Sequence, residues 1–184
     1  MIAAILTSFF TPCPIWWAGR SIGAAKARLP TRPYLIRGQT VTSTNERVPH
    51  WQRELLLWGE RQRRRQWAWG ETDCGTLLRE GLEVVFGRPL MEIAYTSREE
   101  ARAWMIEMGA SASKYFERCG ASRQPLDELR GGDVVVRPGT SDRLPRLALA
   151  LDDEVLLTSD PVQGPHWIGT SDLRRRAVAY RFAP

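Results

Sequence analysis

The chain is poor in the residues that most often hold metals. It has two histidines, His50 and His166, and three cysteines, Cys13, Cys74 and Cys119, which lie far apart and form no CxxC spacing. A structural zinc site needs clustered ligands, and a disulfide framework needs an even number of cysteines. The composition therefore argues against both, and we expect reduced thiols, no metal and no cofactor.

A long hydrophobic run is also missing. Residues 1–18 are apolar, but Pro12 and Pro14 interrupt them, and the run is shorter than the ~20 residues of a membrane-spanning helix. A secretory signal begins with a basic segment, whereas no charged residue precedes Arg20. We therefore expect no membrane span.

The first quarter of the chain has the composition of a segment outside a folded domain. Residues 19–48 are rich in arginine, threonine, proline and glycine, poor in acids, and without lasting periodicity. This composition is typical of an organellar transit peptide. It also fits an upstream extension produced by choosing too early a start codon, which we favour. We predict that residues 1–46 are poorly ordered or pack peripherally, and that residues 47–184 form one domain.

Acidic residues are scarce only at the N-terminus. The net charge of +5 arises there, because residues 1–50 hold six basic groups and one acid, while residues 51–184 hold 20 of each sign. A surface that follows phosphates carries an excess of positive charge, so we expect no nucleic-acid partner. The run 61–65, with four arginines, fits a solvated helix face or a site for an anionic partner.

The most informative stretch is Trp69–Gly75, together with the helix that it predicts. Thr72 or Asp73 can cap a helix, because either side chain can accept a hydrogen bond from an unpaired N–H of the first turn. Cys74 then lies in that first turn, and Gly87 ends the helix. The apolar residues of this helix recur on one face, in line with the cysteine: Leu77, Leu78, Leu82, Val85 and Phe86.

A cysteine at this position has two interpretations. The positive end of the helix macrodipole favours a thiolate, which is how proteins prepare a sulfur nucleophile. Alternatively, Cys74 is a small buried hydrophobic residue, the commonest role of an unpaired cysteine. Trp67 and Trp69, just before it, fit either the lining of a cleft or core packing. The local sequence leaves these alternatives open.

Another helix is predicted before this stretch. Trp51, Leu55 and Trp58 are spaced for one helix face. Leu56 and Leu57 follow directly, and we expect them to widen that buried face.

Two more helices are predicted after it. Ser97 and Glu100 form a capping box, and residues 111–118 form a short helix with Tyr115 and Phe116 inward. The buried stripe of the helix after the capping box is Ala101, Trp104, Met105 and Met108, with Gly109 as its end.

The pattern then changes to short strands. Residues 120–132 are predicted to be a loop, and the strands follow at 133–137, 146–151, 154–159, 165–168 and 177–182. Residues 164–166 also fit a loop, so the sequence does not decide whether the fourth strand forms. The order of helices before an antiparallel meander predicts an α+β domain.

Several motifs together carry a family resemblance. They are Trp69-Gly70-x-x-Asp73-Cys74, Gly87-Arg88-Pro89, the strand opener 132–136, the apolar hairpin 146–159 and a closing strand near 179–181. In this order they cover about residues 51–182. The chain resembles the NlpC/P60 superfamily of papain-like cysteine peptidases. More narrowly, it is similar to a phage and prophage tail-associated branch catalogued as a domain of unknown function (DUF6950-like).

The resemblance implies a fold and a set of residue roles. N-terminal helices pack on a small antiparallel sheet. In the active family a cysteine at the position of Cys74 attacks a peptide carbonyl, a histidine that opens a strand is the base, and a third polar residue orients it. The backbone N–H groups around Cys74 and Gly75 are the oxyanion donors. The histidine position holds Arg146 or Leu147, and the orienting position holds Leu157 or Thr158.

The missing histidine is the main departure from the family pattern. Neither leucine nor arginine carries a proton to a leaving group at neutral pH, because guanidinium stays charged. His166 is a candidate base if it reaches across to Cys74, although its spacing differs from the family's; the alternative is a surface histidine. We expect the cleft to be lined by Trp69, Asp73, Arg146 and Trp167.

The resemblance implies two functions from different classes. The first is a degenerate, non-catalytic module of a phage or prophage tail, which contacts other tail proteins in the virion or in the host cytoplasm during assembly. The second is an active cysteine peptidase or amidase that cleaves peptidoglycan peptides with Cys74 as nucleophile. A third possibility is binding of a muropeptide or another acyl ligand without turnover. The missing histidine favours the first.

Overall fold

The structure, a computed structural model, describes residues 46–107, 109, 111–139, 144–173 and 176–183. The prediction for residues 1–46 lies outside this part of the chain, apart from Glu46, and so does the prediction for Met108. The described residues form four α-helices and six strands. The helices are α1 (Trp51–Gln62), α2 (Cys74–Phe86), α3 (Arg98–Glu107) and α4 (Ala112–Arg118).

Helix α1 lies against α2 and buries Leu55 and Trp58, as predicted. The prediction that Leu56 and Leu57 widen the buried face is wrong, because these side chains are 38% and 45% exposed. They follow Leu55 by one and two positions, which turns them about 100° and 200° around the helix and away from the core.

Helices α2 to α4 follow their predicted boundaries closely. Helix α2 ends at Gly87, which takes the left-handed backbone conformation with φ 67°, as a glycine at a helix end commonly does. Ser97 accepts a hydrogen bond from the backbone N–H of Glu100 at 3.2 Å, which begins α3. Helix α4 buries Tyr115 and Phe116. The helices predicted in this region are therefore confirmed.

The six strands form one antiparallel sheet in the order β1-β6-β2-β3-β4-β5. They are β1 (Ala121–Gln124), β2 (Val134–Arg137), β3 (Arg146–Ala150), β4 (Val155–Asp160), β5 (Gly164–Gly169) and β6 (Val178–Phe182). The prediction of a loop over 120–132 is wrong for β1. This edge strand has the sequence ASRQ, and its exposed polar residues give no apolar alternation. The strand predicted at 165–168 is confirmed as part of β5.

The two faces of the sheet carry different side chains. Leu147, Leu149 and Leu157 face the helices and belong to the larger core cluster. Ala148 and Leu156, which alternate with them, belong to a second cluster on the opposite face. Helix α2 packs on β3 and β4, and Cys74 and Leu147, near the starts of α2 and β3, line the same cavity. The α+β class is therefore confirmed.

The Gly-Asp strand opener has a structural role. Asp133 is fully buried, and its carboxylate accepts hydrogen bonds from Nε and Nη2 of Arg181 at 2.8 and 2.7 Å. A bidentate pair of this kind is strong and geometrically specific, so it fixes β2 to β6. Among the described residues, no helix is long and apolar enough to cross a membrane.

Candidate functional site

Asp73 organises the turn in front of α2. Its Oδ1 accepts hydrogen bonds from the N–H groups of Gly75 and Thr76 at 3.0 and 3.2 Å and from the Tyr95 hydroxyl at 2.6 Å. Its Oδ2 accepts from Gly70 N–H at 2.7 Å and from the Thr76 hydroxyl at 2.8 Å. Asp73 is 2% exposed. A buried carboxylate that accepts five hydrogen bonds is a rigid cap. Of the two cap candidates in the sequence, Thr72 and Asp73, the cap of α2 is therefore Asp73.

Thr72, the other candidate cap, closes the loop that precedes the helix. Its hydroxyl donates to the carbonyl of Gln66 and accepts from the N–H of Ala68, both at 2.7 Å. Gly70 takes a φ of 72°, and a Cβ there would collide with the carbonyl oxygen of Tyr95. The hydrogen bonds of Thr72 and the close contact of Gly70 with Tyr95 therefore hold the loop before Cys74 in place.

Tyr95 is a site residue that the sequence did not single out. It lies 22 residues from Asp73, and no local motif connects the two. Burial raises the pKa of Tyr95, and the neighbouring carboxylate of Asp73 raises it further, so the hydroxyl stays protonated and donates. A Cβ at Gly75 would collide with this hydroxyl, which explains why a glycine follows the cysteine.

The Cys74 thiol is in an apolar environment that disfavours its charged form. Burial raises the pKa of Cys74 to about 11, and the carboxylate of Asp73 adds to that effect. The hydrogen bond to the backbone of Leu147, the second largest influence, and the charge of Arg146 lower the pKa but do not offset the burial. Desolvation is therefore the largest influence on this thiol, which lies at the helix start that made it attractive as a nucleophile.

The two candidates for the histidine position lie in different places. The side chain of Leu147 is 6% exposed and lines a cavity together with Cys74 and Gly75. Arg146 lines a second cavity, and its side chain is 41% exposed. Each of the two positions therefore lines a cavity that Cys74 also lines, with Leu147 buried and Arg146 partly exposed.

The strand register also identifies the neighbour of Leu147 on β4. Ala148 pairs with Thr158, so one step further Leu147 lies opposite Ser159. Thr158 faces away from the helices and donates to the carbonyl of Leu147 at 2.8 Å. Leu157 pairs with Leu149, deeper in the core. The strand register therefore places Ser159 next to Leu147. Leu157 and Thr158, the two predicted candidates for the orienting position, do not lie there.

Two cavities meet at the cysteine. The first, about 60 Å³, is mostly apolar. The second, about 90 Å³, opens towards Arg146 and Asp160. Residues shared by both linings are Trp69, Asp73, Cys74, Leu144 and Pro145. Three of the four predicted cleft residues, Trp69, Asp73 and Arg146, therefore line one or both cavities.

The fourth predicted cleft residue, Trp167, lies elsewhere. It is partly buried against the core on β5, and the guanidinium of Arg63 stacks on its ring at 4.5 Å from the centroid. Trp67 does reach the second cavity and contacts Trp69 edge to face, with ring centroids 5.1 Å apart. The cleft interpretation of Trp67 and Trp69 thus agrees with the structure.

His166 is not brought together with Cys74 in either cavity. It pairs with Thr158 across β4 and β5, and so it lies on the sheet face that points away from α2. Its Nδ1 is 2.8 Å from the carbonyl oxygen of Gly164, and its Nε2 is 4.0 Å from Oδ2 of Asp160. The N–H of Gly75, a proposed oxyanion donor, donates to Asp73. These positions do not form a catalytic pair around the sulfur.

Comparison with known families places this site in a defined domain. A sequence model of the DUF6950 family, described as a domain of unknown function, matches residues 46–181. The chain belongs to the DUF6950 family. The DUF6950 match contains Cys74, Leu147 and Ser159, and it ends one residue before the end of β6. No curated protein matches the sequence.

The DUF6950 domain offers little to a metal ion. Within the described ranges, no group of three or more histidine, cysteine, aspartate or glutamate side chains could hold one. Asp160 lies between Arg146 and His166, at 3.9 and 4.0 Å.

Proposed function

We propose that this DUF6950 domain is a non-catalytic NlpC/P60-like module of a phage or prophage tail, kept for its contacts with other tail proteins. The observation that supports the first part is that Leu147, one of the two positions where the resemblance expects the base, is buried and lines a cavity together with Cys74. The phage-tail assignment rests on the resemblance carried by the motifs around Cys74 and Asp133.

Peptide cleavage by a cysteine needs two things that this site lacks. The first is a thiolate, but with a pKa of about 11 only about one thiol in ten thousand is ionised at pH 7. The second is a group that protonates the leaving amine. Leucine has no titratable group, and a guanidinium does not release its proton at neutral pH. Both arguments favour a packed, inert cysteine.

The alternative is an active peptidase or amidase that uses Cys74 with His166 on peptidoglycan peptides. It requires the imidazole to contact the sulfur. His166 lines neither of the cavities that Cys74 lines, and its Nε2 lies 4.0 Å from Asp160. The arrangement of the described residues gives it no support, so we do not adopt it.

Hydrolysis of purified muropeptides tests the proposal. The full chain should release no product above a buffer control, and Cys74→Ser and His166→Gln variants should behave in the same way. Product release by the natural chain that disappears in both variants would overturn the proposal, because only a cysteine and histidine pair accounts for that pattern. Circular dichroism of each variant shows that the fold is intact.

A further inference from the structure

The cleft beside Cys74 contains a buried hydroxyl without a partner. Ser159 is 4% exposed, its Oγ has no hydrogen-bond partner among the described residues, and it lines the larger of the two cavities. Buried polar groups in native proteins are nearly always paired, because leaving one unpaired costs its full desolvation. A hydroxyl both donates and accepts, so Ser159 by itself indicates a polar ligand but not the sign of its charge.

The charged side chains of this cavity disfavour a ligand with a net charge of either sign. They are the guanidinium of Arg146 and the carboxylates of Asp73 and Asp160. An anion would meet two carboxylates, and a cation would meet the guanidinium. The carboxylate of Asp73 already accepts five hydrogen bonds from its own turn and from Tyr95, so it contributes charge rather than an acceptor. A neutral polar group avoids both repulsions.

Arg146 and Asp160 present a donor and an acceptor side by side. Nη1 of Arg146 is 3.9 Å from Oδ2 of Asp160, longer than the ~2.8 Å of a charge-assisted hydrogen bond. Nε2 of His166 approaches the same Oδ2 to 4.0 Å, which also exceeds a hydrogen bond. The other oxygen, Oδ1, accepts from the N–H groups of Val162 and Gln163, both at 2.9 Å. Oδ2 is therefore the Asp160 oxygen that is available to a ligand.

A primary carboxamide has the complementary pattern. Its carbonyl oxygen accepts and its NH2 group donates, and both lie on one edge of a planar group. A main-chain peptide unit is almost always trans, so its C=O and N–H point in opposite directions and do not share an edge. We propose that this cleft binds a neutral primary carboxamide, which accepts from Arg146 and donates to Asp160, with the hydroxyl of Ser159 as its third hydrogen-bond partner.

The remaining walls of the cavity are apolar and leave room for a short tail. They are contributed by Trp67, Trp69, Leu144, Pro145 and Pro161. The volume of about 90 Å³ holds several water-sized groups. The mostly apolar cavity of about 60 Å³ shares Trp69 and Cys74 with it. A carboxamide on an apolar tail of a few carbons therefore fits the cleft.

This inference rests on the proposed function, since it assumes that the cleft binds without turning over. The same chemistry occurs in a free small amide and in the side chain of a glutamine or asparagine in a partner protein. In both, a primary carboxamide ends a short apolar chain. The test therefore includes both sources.

Ligand-observed NMR titration of the full chain is the test. Isovaleramide, isovalerate and isovaleramidinium have nearly the same shape, and they are neutral, negative and positive. The amide should bind about 10-fold tighter than either ion, because each ion loses one of the two hydrogen bonds and meets a like charge. N-methylisovaleramide, a trans secondary amide, should also bind more weakly than isovaleramide.

A peptide pair provides the second source. Acetyl-Gly-Gln-Gly-N-methylamide presents a carboxamide side chain, and the same peptide with glutamate presents a carboxylate. The glutamine peptide should bind more tightly than the glutamate peptide if a protein side chain is the ligand. Of isovaleramide and the glutamine peptide, the one that binds more tightly identifies the source.

Matched variants connect the binding to the cleft. Asp160→Asn keeps an oxygen for the turn at Val162, and it should weaken amide binding about 10-fold and shift the preference towards isovalerate. Arg146→Gln should weaken amide binding by a similar factor and shift the preference towards isovaleramidinium. A purely structural role of these side chains would not move the two preferences in opposite directions. Ser159→Ala should weaken amide binding about 5-fold.

Arg64→Gln is the control, because that side chain is 81% exposed and pairs only loosely with Glu60 at 3.8 Å. It should leave the affinity and the order of the three probes unchanged. Urea unfolding of each variant checks that the domain remains folded.

Four results would overturn the inference. They are no binding of either carboxamide at about 10 mM, a concentration at which even weak ligands are detected; binding of an ion as tight as that of isovaleramide; equal binding of isovaleramide and its N-methyl derivative; and an equal loss of affinity in Arg146→Gln and Arg64→Gln. Conversion of isovaleramide to isovalerate, visible in the same spectra, would instead contradict the proposed function and would still show that the amide is bound. The two failures are therefore distinct.

Discussion

Replacing Leu147 by histidine would place an imidazole beside the Cys74 sulfur. An opposite charge within hydrogen-bond reach lowers the pKa of an acid by roughly 1–3. We therefore expect the pKa of Cys74 to fall from about 11 to between about 8 and 10. Ser159 lies next to position 147 across the strands, and its unpaired hydroxyl can accept the second imidazole N–H.

The rate of iodoacetamide alkylation at pH 7 measures this change, because only the thiolate reacts. A pKa lower by two increases the thiolate fraction about 100-fold, and with it the alkylation rate. Cys13→Ser and Cys119→Ser in the same chain restrict the label to Cys74. The substitution also loses apolar burial, and we expect the free energy of unfolding to fall by about 2 kcal/mol.

Leu147→Asn is the matched control for this experiment. Asparagine is polar and similar in size but takes no charge, so it should leave the alkylation rate near that of the natural chain. If Leu147→His folds and reacts no faster than Leu147→Asn, the side chain at position 147 does not reach the sulfur. The argument that Leu147 occupies the base position would then be refuted.

Three further predictions follow from the same turn. Asp73→Ala should lower the free energy of unfolding in urea by about 3 kcal/mol or more, since it leaves buried donors unpaired; a loss below about 1 kcal/mol would contradict the rigid cap. Gly75→Ala should cost about 1–3 kcal/mol through its collision with the Tyr95 hydroxyl, and Tyr95→Phe in the same chain should recover part of this cost; additive losses would argue against the collision. The pKa of Cys74, about 11 when folded against a model value of 9.0, should make the natural chain lose about 2 kcal/mol of stability relative to Cys74→Ala between pH 8 and pH 11. The sign follows because the unfolded chain releases the thiol proton first as the pH rises, and parallel stability curves for the two chains would contradict it.

The helices and strands with a strong apolar periodicity could be predicted from the sequence, and the polar edge strand β1 could not. Helix α2 combines a cap, an apolar stripe and a glycine end, and its position was predicted correctly. Strand β1 has no apolar alternation, because as an edge strand it pairs only with β6. Its hydrogen bonds depend on a partner about 60 residues away, which no local pattern reveals. Leu56 and Leu57 show the same limit, since hydrophobicity alone does not fix which helix face is buried.

The candidate site was predicted in part for similar reasons. Asp73, Cys74, Trp69 and Arg146 are placed by one turn and one strand start, which short motifs describe well. Tyr95 completes the network on Asp73 from a distant segment. Ser159 is defined by the register of β3 and β4, and a slip of one residue exchanges the two faces of a strand. Sequence spacing alone therefore could not choose between Arg146 and Leu147 or locate Ser159.

The central claim is that Cys74, half-buried in a cavity that Leu147 also lines, is not a prepared nucleophile. The pH dependence of Cys74 alkylation in a chain that carries Cys13→Ser and Cys119→Ser measures it most directly. We predict a midpoint near 11, above the ~8.5 of an ordinary thiol. A midpoint below about 7.5, within the range of activated cysteines, would contradict the claim.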